Sequence, residues 1–290
     1  MTDFQTKLLE TFKVFAKLCS DNNLKYYAAY GTCLGAIRHH GFIPWDDDLD
    51  ISLLRPDYDK FIAVAKQEMQ EPFCVLDNYT GLPSQYGEGT LRVLSFSKVC
   101  HKGTSCIVNW HDFIHPQGIM LDVFPLDIMS DGSAEQDFYC ATLNELYGTV
   151  LKPPNFGEML MNNTPTINPR EVLLDLYNKP LKEAYYVWER NAAAIYERLQ
   201  PRYVGMFLSI RSYGKQPLPR EWVQEVEYVP FETVSLPVPK QYLKILTKRY
   251  GDWTVCKSSS KTHWSHTSEN RSMDIPYQEY MAMVKPIGEK

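Results

Sequence analysis

Long apolar runs are missing from this chain. No stretch approaches the ~20 consecutive apolar residues that span a bilayer, and Met1 to Lys17 is interrupted by Asp3, Lys7, Glu10 and Lys13, unlike the apolar segment of a secretion signal. The expectation is a cytoplasmic protein without a transmembrane segment, at most peripherally associated with the inner face of a membrane. A surplus of positive charge is missing too: 30 Lys and Arg against 35 Asp and Glu give a net charge of −5. That leaves no broad basic face for phosphate backbones, so nucleic acid is not an expected partner. The seven cysteines are odd in number and contain no CxxC pair, which suits free buried thiols better than disulfides or a zinc site. Internal repeats and low-complexity tracts are absent. What is present, 290 residues with 44% hydrophobic and 13% aromatic content, is enough to build a real core.

Against that background one stretch stands out. Asp46, Asp47, Asp48 and Asp50 crowd together and run directly into Ile51-Ser52-Leu53-Leu54 instead of a polar tail. Like charges this close raise each other's pKa, so either water solvates them or a cation holds some of them. A strand is expected over 47–54, with Asp48 and Asp50 on one face and Leu49 and Ile51 entering the core behind them. Asp46 and Asp47 are expected at its mouth, solvated. An EF-hand loop is excluded because its obligatory glycine position is Ile51 and its twelfth position is Asp57, not Glu.

Around this stretch, apolar spacing predicts a helix from Phe4 to Leu24. A short strand follows over 26–30, and then Gly31-Thr32, where Thr32 can cap a helix running to about Arg38. A glycine turn feeding a helix start can present backbone N–H groups to phosphate, although most such turns are only turns. Arg55-Pro56-Asp57 starts another helix. Strands are expected at 73–76, 91–99 and 117–124, the last stopped by Pro125. Lys98 and Thr104 lie where they could reach a ligand or simply face solvent. Asp122 is a lone charge in an apolar run, to be paired with an arginine or bound to metal as a third ligand opposite Asp48 and Asp50. From about residue 133 the composition turns helical (134–151, 171–177, 181–199). Short strand-like pieces come at 225–229 and 233–236, and a helix begins after Pro239 that Gly251 can terminate.

The wording of 31–51, Gly-Thr-x-Leu-Gly-Ala-x-Arg-His-x-Gly-Phe-Ile-Pro-Trp-Asp-Asp-Asp-x-Asp-Ile, resembles the signature of the LicD family, which includes phosphocholine transferases and is related to the fukutin-related ribitol-phosphate transferases. Gly118 to Asp127 resembles the family's Asp-h-Phe-Pro-Leu-Asp strand. Phe231-Glu232, Leu236 to Pro239 and Tyr250-Gly251-Asp252-Trp253 resemble its C-terminal blocks. The resemblance implies an α+β fold: a nucleotidyltransferase (polymerase-β-like) core over 1–130, with a mixed sheet flanked by helices, and a mainly helical region over 131–290 that contributes to acceptor binding.

It also implies a chemistry. A phospho-alcohol, phosphocholine first among the options, would pass from a CDP-linked donor to a hydroxyl of a glycan or lipid-linked glycan, with release of CMP. Asp48, Asp50 and Asp122 are the implied catalytic and metal-holding residues, for two Mg²⁺ ions or Mn²⁺ in their place. Gly31, Thr32, Arg38 and Lys98 are the implied substrate-binding residues. Two rivals stand beside this reading: nucleotidyl transfer from a nucleoside triphosphate with release of pyrophosphate, and a non-catalytic relative that binds metal or glycan.

Overall fold

A computed structural model describes residues 1–77, 96–110, 113–129, 131–134, 191–206, 217–255, 271–276, 279–280 and 283. Helix α1 (Asp3–Asp21) opens with a capping box that the spacing alone did not reveal: Gln5 N donates to Thr2 Oγ1 at 3.1 Å while Thr2 N donates to Gln5 Oε1 at 2.9 Å. Its apolar face buries Leu8, Leu9, Phe12 and Phe15, each worth about 1.5–3 kcal/mol of transfer free energy. Phe15 meets Tyr26 and Phe61 edge-on, with ring centroids at 5.0 and 5.1 Å. Phe61 comes from α3 (Arg55–Glu68), so α1 and α3 share one aromatic seam against the sheet.

Among the described residues the sheet has eight strands. Its spine runs β1 (Tyr27–Ala28), β2 (Asp50–Leu54), β5 (Phe113–Met129), β4 (Ser97–Trp110) and β10 (Arg271–Ser272). β3 (Phe73–Leu76) pairs with the first part of β4, β6 (Tyr203–Gly205) pairs with the end of β5, and β7 (Leu218–Pro219) pairs with β6. β2 and β5 are parallel and the other pairs antiparallel, so the expected mixed sheet is present. A separate hairpin, β8 (Val226–Phe231) and β9 (Val234–Pro239), is followed by α4 (Tyr242–Tyr250), which Gly251 ends at φ +69°.

Two expectations need correction. β5 does not stop at Pro125; it continues to Met129, with Pro125 in register with Leu53. Among the described residues β4 pairs only as far as Val123, which leaves one side of Pro125 without a partner strand to miss its N–H. Strand β2 starts at Asp50 instead of residue 47, which leaves Asp48 in the preceding loop. Beyond 131 the described residues supply β6, β7 and β10 to the sheet and the β8–β9 hairpin. Residues 191–199 are helical as expected. The helices expected over 135–151, 171–177 and 181–190 lie outside the described residues. No helix among the described residues is long and apolar enough to cross a membrane. The five described cysteines are unpaired thiols, four of them buried.

Candidate active site

Helix α2 (Tyr30–His39) follows β1 with only Ala29 between them, and Ala29 N donates to Asp50 O at 2.9 Å. Thr32 does not cap this helix. It sits inside the first turn, and its Oγ1 accepts the Asp50 N–H at 2.8 Å, so the hydroxyl fixes the start of β2. The first i→i−4 bond of the helix runs from Cys33 N to Ala29 O, leaving the N–H groups of Gly31 and Thr32 ahead of it. At the other end His40 turns the chain at φ +55° and the loop runs back along the helix. Gly35 permits that return: a Cβ there would lie 2.5 Å from Gly41 O and 3.2 Å from Ile43 N. Gly31 likewise leaves room for the Asp46 carboxylate, which would stand 2.7 Å from an added Cβ.

Two distant residues pin this loop. Glu232, at the turn of the β8–β9 hairpin, accepts Phe42 N on Oε1 at 3.1 Å, and its own N–H donates to His40 O at 2.9 Å. Phe231 beside it packs edge-on against Phe42 with centroids at 4.9 Å. From α1, Gln5 Nε2 donates to Asp46 O at 3.0 Å, so the side chain that caps α1 also holds the acidic segment. Neither contact is a local one, and no sequence spacing would have revealed it.

The carboxylates then fall into place. Asp50 is directly in register with Asp122 on the neighbouring parallel strand, and Asp122 in turn with Lys98 on β4. Register partners project from the same face, so three adjacent strands place Asp50, Asp122 and Lys98 in one row. Lys98 Nζ donates to Asp122 Oδ1 at 2.7 Å and lies 5.1 Å above the Phe96 ring. Asp122 is thus paired with a lysine, not with the arginine that was one alternative. Burial pushes the Asp50 carboxyl well above the usual carboxylate range, and the charges of Asp48, Asp122 and Asp46 push it further, with Lys98 opposing.

Asp46 is not a solvated residue of the mouth. It is half-buried, its pKa is raised to about 6 chiefly by burial, and a side-chain hydrogen bond to Asp48 partly offsets that rise. Asp47 faces Arg271 on β10, with Nη1 3.4 Å from Oδ2, and Arg271 also covers the Phe4 ring at 4.3 Å. Arg38 is at the far end of α2, roughly 10 Å along the axis from Gly31 and Thr32; it donates to Trp253 O and His39 Nε2, both at 3.0 Å. Thr104 is fully buried and bridges a β-bulge, donating to His101 O and accepting Ile119 N.

The structure therefore brings together Asp46, Asp48, Asp50, Asp122 and Lys98 near the start of α2, and leaves Arg38 outside that group. Among the described residues no three His, Cys, Asp or Glu side chains converge tightly enough to grip a metal as they stand. The set is nevertheless one of crowded carboxylate oxygens with one lysine among them, and its buried member, Asp50, is pushed up by burial and by its neighbours' charge; oxygen donors of this kind suit a hard divalent cation.

Residues 23–138, which include every one of these carboxylates and Lys98, match the family model described as LicD/FKTN/FKRP, nucleotidyltransferase domain. The chain is 26% identical over 262 residues to the lipopolysaccharide cholinephosphotransferase LicD of Haemophilus influenzae, covering 86% of this chain and 89% of that protein. It is 32% identical over 152 residues to an uncharacterised protein of Rickettsia typhi, covering 52% of this chain and 40% of that one. A shorter match, 33% over 69 residues, is to the ribitol-5-phosphate transferase FKTN of Mus musculus and spans 15% of it. The resemblance to the LicD family is borne out by these matches.

Proposed function

We propose that this chain, which carries a domain of the LicD/FKTN/FKRP family over residues 23–138, transfers a phospho-alcohol, most simply phosphocholine, from a CDP-linked donor to a hydroxyl of a glycan or lipid-linked glycan. The observation that carries the reading is the row formed by Asp50, Asp122 and Lys98 on three neighbouring strands, with Asp46 and Asp48 beside it. The extended match to a cholinephosphotransferase, over most of both chains, supports the choice of alcohol.

In this reading the acceptor hydroxyl attacks the β-phosphorus of the donor, its bond to the CMP oxygen breaks, and the phospho-alcohol is left on the acceptor as a diester. Asp122 takes the acceptor's proton, and Lys98, already on Asp122, offsets charge on the phosphoryl oxygens. Gly31 and Thr32 turn their backbone N–H groups to the donor phosphates; the Thr32 hydroxyl is committed to Asp50 and takes no part. Asp48, Asp50 and Asp122 would hold Mg²⁺, or Mn²⁺, as a pair of ions. Bound there, the cations would neutralise the charge that develops on the non-bridging and leaving oxygens.

A panel of CDP-alcohols with Mg²⁺, assayed for CMP, tests the reading, because many transferases slowly hydrolyse their donor without acceptor. CMP from one member of the panel is the expected result. Pyrophosphate released from CTP, with no CMP from any CDP-alcohol, would establish nucleotidyl transfer in its place.

A further inference from the structure

Between α4 and the start of α2 lies a small cavity with room for about one water-sized group, lined among others by Tyr27, Ala29, Tyr30, Ser52 and Arg249. Two of its polar contributors have no hydrogen-bond partner among the described residues. The Nε and Nη1 of Arg249 and the hydroxyl of Tyr27 are buried without a hydrogen-bond partner. Arg249 has no carboxylate partner among the described residues, whereas Lys98 has Asp122, Arg271 has Asp47 and Arg55 has Asp127. Its guanidinium lies 4.1 Å over the Tyr30 ring. That contact covers one flat face and leaves the in-plane N–H fork as the edge that can bind.

A half-buried guanidinium whose Nε and Nη1 are out of reach of solvent and of any anion among the described residues is costly, and one water bridging Arg249 and Tyr27 would satisfy hydrogen bonds without compensating charge. The cavity is also close to the site. Its floor is the β1–β2 pair, Tyr27 with Ser52 and Ala28 with Ile51, one residue along from Asp50. The ring under Arg249 also packs edge-on at 5.5 Å against Phe124, two residues beyond Asp122.

We infer that Arg249 is a phosphate-binding residue of this site, its fork taking at the cavity beside the first turn of α2 a single oxygen of a substrate phosphate whose other atoms stay outside. That the anion is one end of a donor diphosphate follows from the phospho-alcohol-transfer reading; that an anion belongs there does not. Arg249 then supplies, at the site end of α2, the charge that Arg38 is too far along the helix to provide.

The test is calorimetric titration of inorganic pyrophosphate into the full chain, in EDTA and in Mg²⁺, for the unaltered protein, Arg249→Met and Arg249→Lys, with circular dichroism as the folding control. The unaltered protein is expected to bind. Arg249→Met should weaken binding at least about tenfold, the scale of a charged hydrogen bond, with Arg249→Lys between because lysine keeps the charge but loses the fork. Equal Kd in all three proteins overturns the assignment, and so does an unaltered protein that binds no pyrophosphate in either buffer. If Arg249→Met does not fold, an unchanged Kd in Arg249→Lys overturns it alone. CMP release from CDP-choline, measured on the same samples, separates the two ideas. Pyrophosphate binding that depends on Arg249 without CMP release keeps the anion site and sinks the donor; CMP release that is untouched in Arg249→Met across donor concentrations does the reverse.

Discussion

Asp50 and Asp127 are both buried acids, and their surroundings give them opposite jobs. Asp127 is held by Arg55, whose Nε and Nη2 each donate at 2.6 Å to one carboxylate oxygen, with Asp59 on Nη1 at 3.0 Å. Removing one partner of such a pair strands a buried charge, so Asp127→Ala should lower stability by about 3–5 kcal/mol in urea denaturation. Asp50 has no such partner and faces other carboxylates. Asp50→Asn replaces, at almost constant shape, an acid whose charged form burial and its neighbours disfavour, so its melting temperature should equal or exceed that of the unaltered protein. Donor turnover, by contrast, should fall by about 100-fold or more, as when a preorganised electrostatic group is lost. Thermal melts and CMP assays on the two variants check both statements; retained turnover in Asp50→Asn would remove that residue from the site.

Single elements show what holds the acidic loop and why a sequence reveals only part of it. Gly31 and Gly118 are both close-approach glycines, but their neighbours differ. An added Cβ at Gly31 meets the end of the Asp46 side chain at 2.7 Å, which can swing away. At Gly118 it meets His101 O at 1.9 Å, which is backbone inside a bulged β4–β5 ladder and cannot. Gly31→Ala should therefore cost roughly 1 kcal/mol or less in stability while reducing turnover, and Gly118→Ala roughly 2 kcal/mol or more. Glu232→Ala removes the side-chain half of the clamp, the carboxylate that accepts Phe42 N, while the backbone N–H at 232 still holds His40 O. Its expected signature is about a tenfold drop in kcat with a stability loss near 1 kcal/mol, read from kinetics beside urea melts. An unchanged kcat would make the hairpin contact merely structural.

What the sequence made readable were elements governed by local rules: the apolar spacing of α1, proline at the start of α3, and the Gly251 stop of α4. Partner choice was not readable, because Gln5 finds Asp46, Glu232 finds Phe42 and Arg271 finds Asp47 only after the chain has folded. Pro125 misled for the same reason. Whether a proline breaks a strand depends on which neighbour its missing N–H would have met.

At the scale of the whole molecule, the sheet is the device that assembles the site. β2, β5 and β4 bring in Asp50, Asp122 and Lys98; β10 adds Arg271 against Asp47; the hairpin and α4 reach back to the loop and to the start of α2. Segments from both ends of the chain are thus committed to one small patch. The central claim is that attack falls on the β-phosphorus of a CDP-alcohol. Hydrolysis of CDP-choline by the full chain in ¹⁸O-water with Mg²⁺ tests it most directly, by mass spectrometry of both products. The expected products are ¹⁸O-labelled phosphocholine and unlabelled CMP, with no reaction in EDTA and about 100-fold or more less turnover in Asp50→Asn; ¹⁸O in CMP would contradict attack on the β-phosphorus, and equal turnover in EDTA its metal dependence.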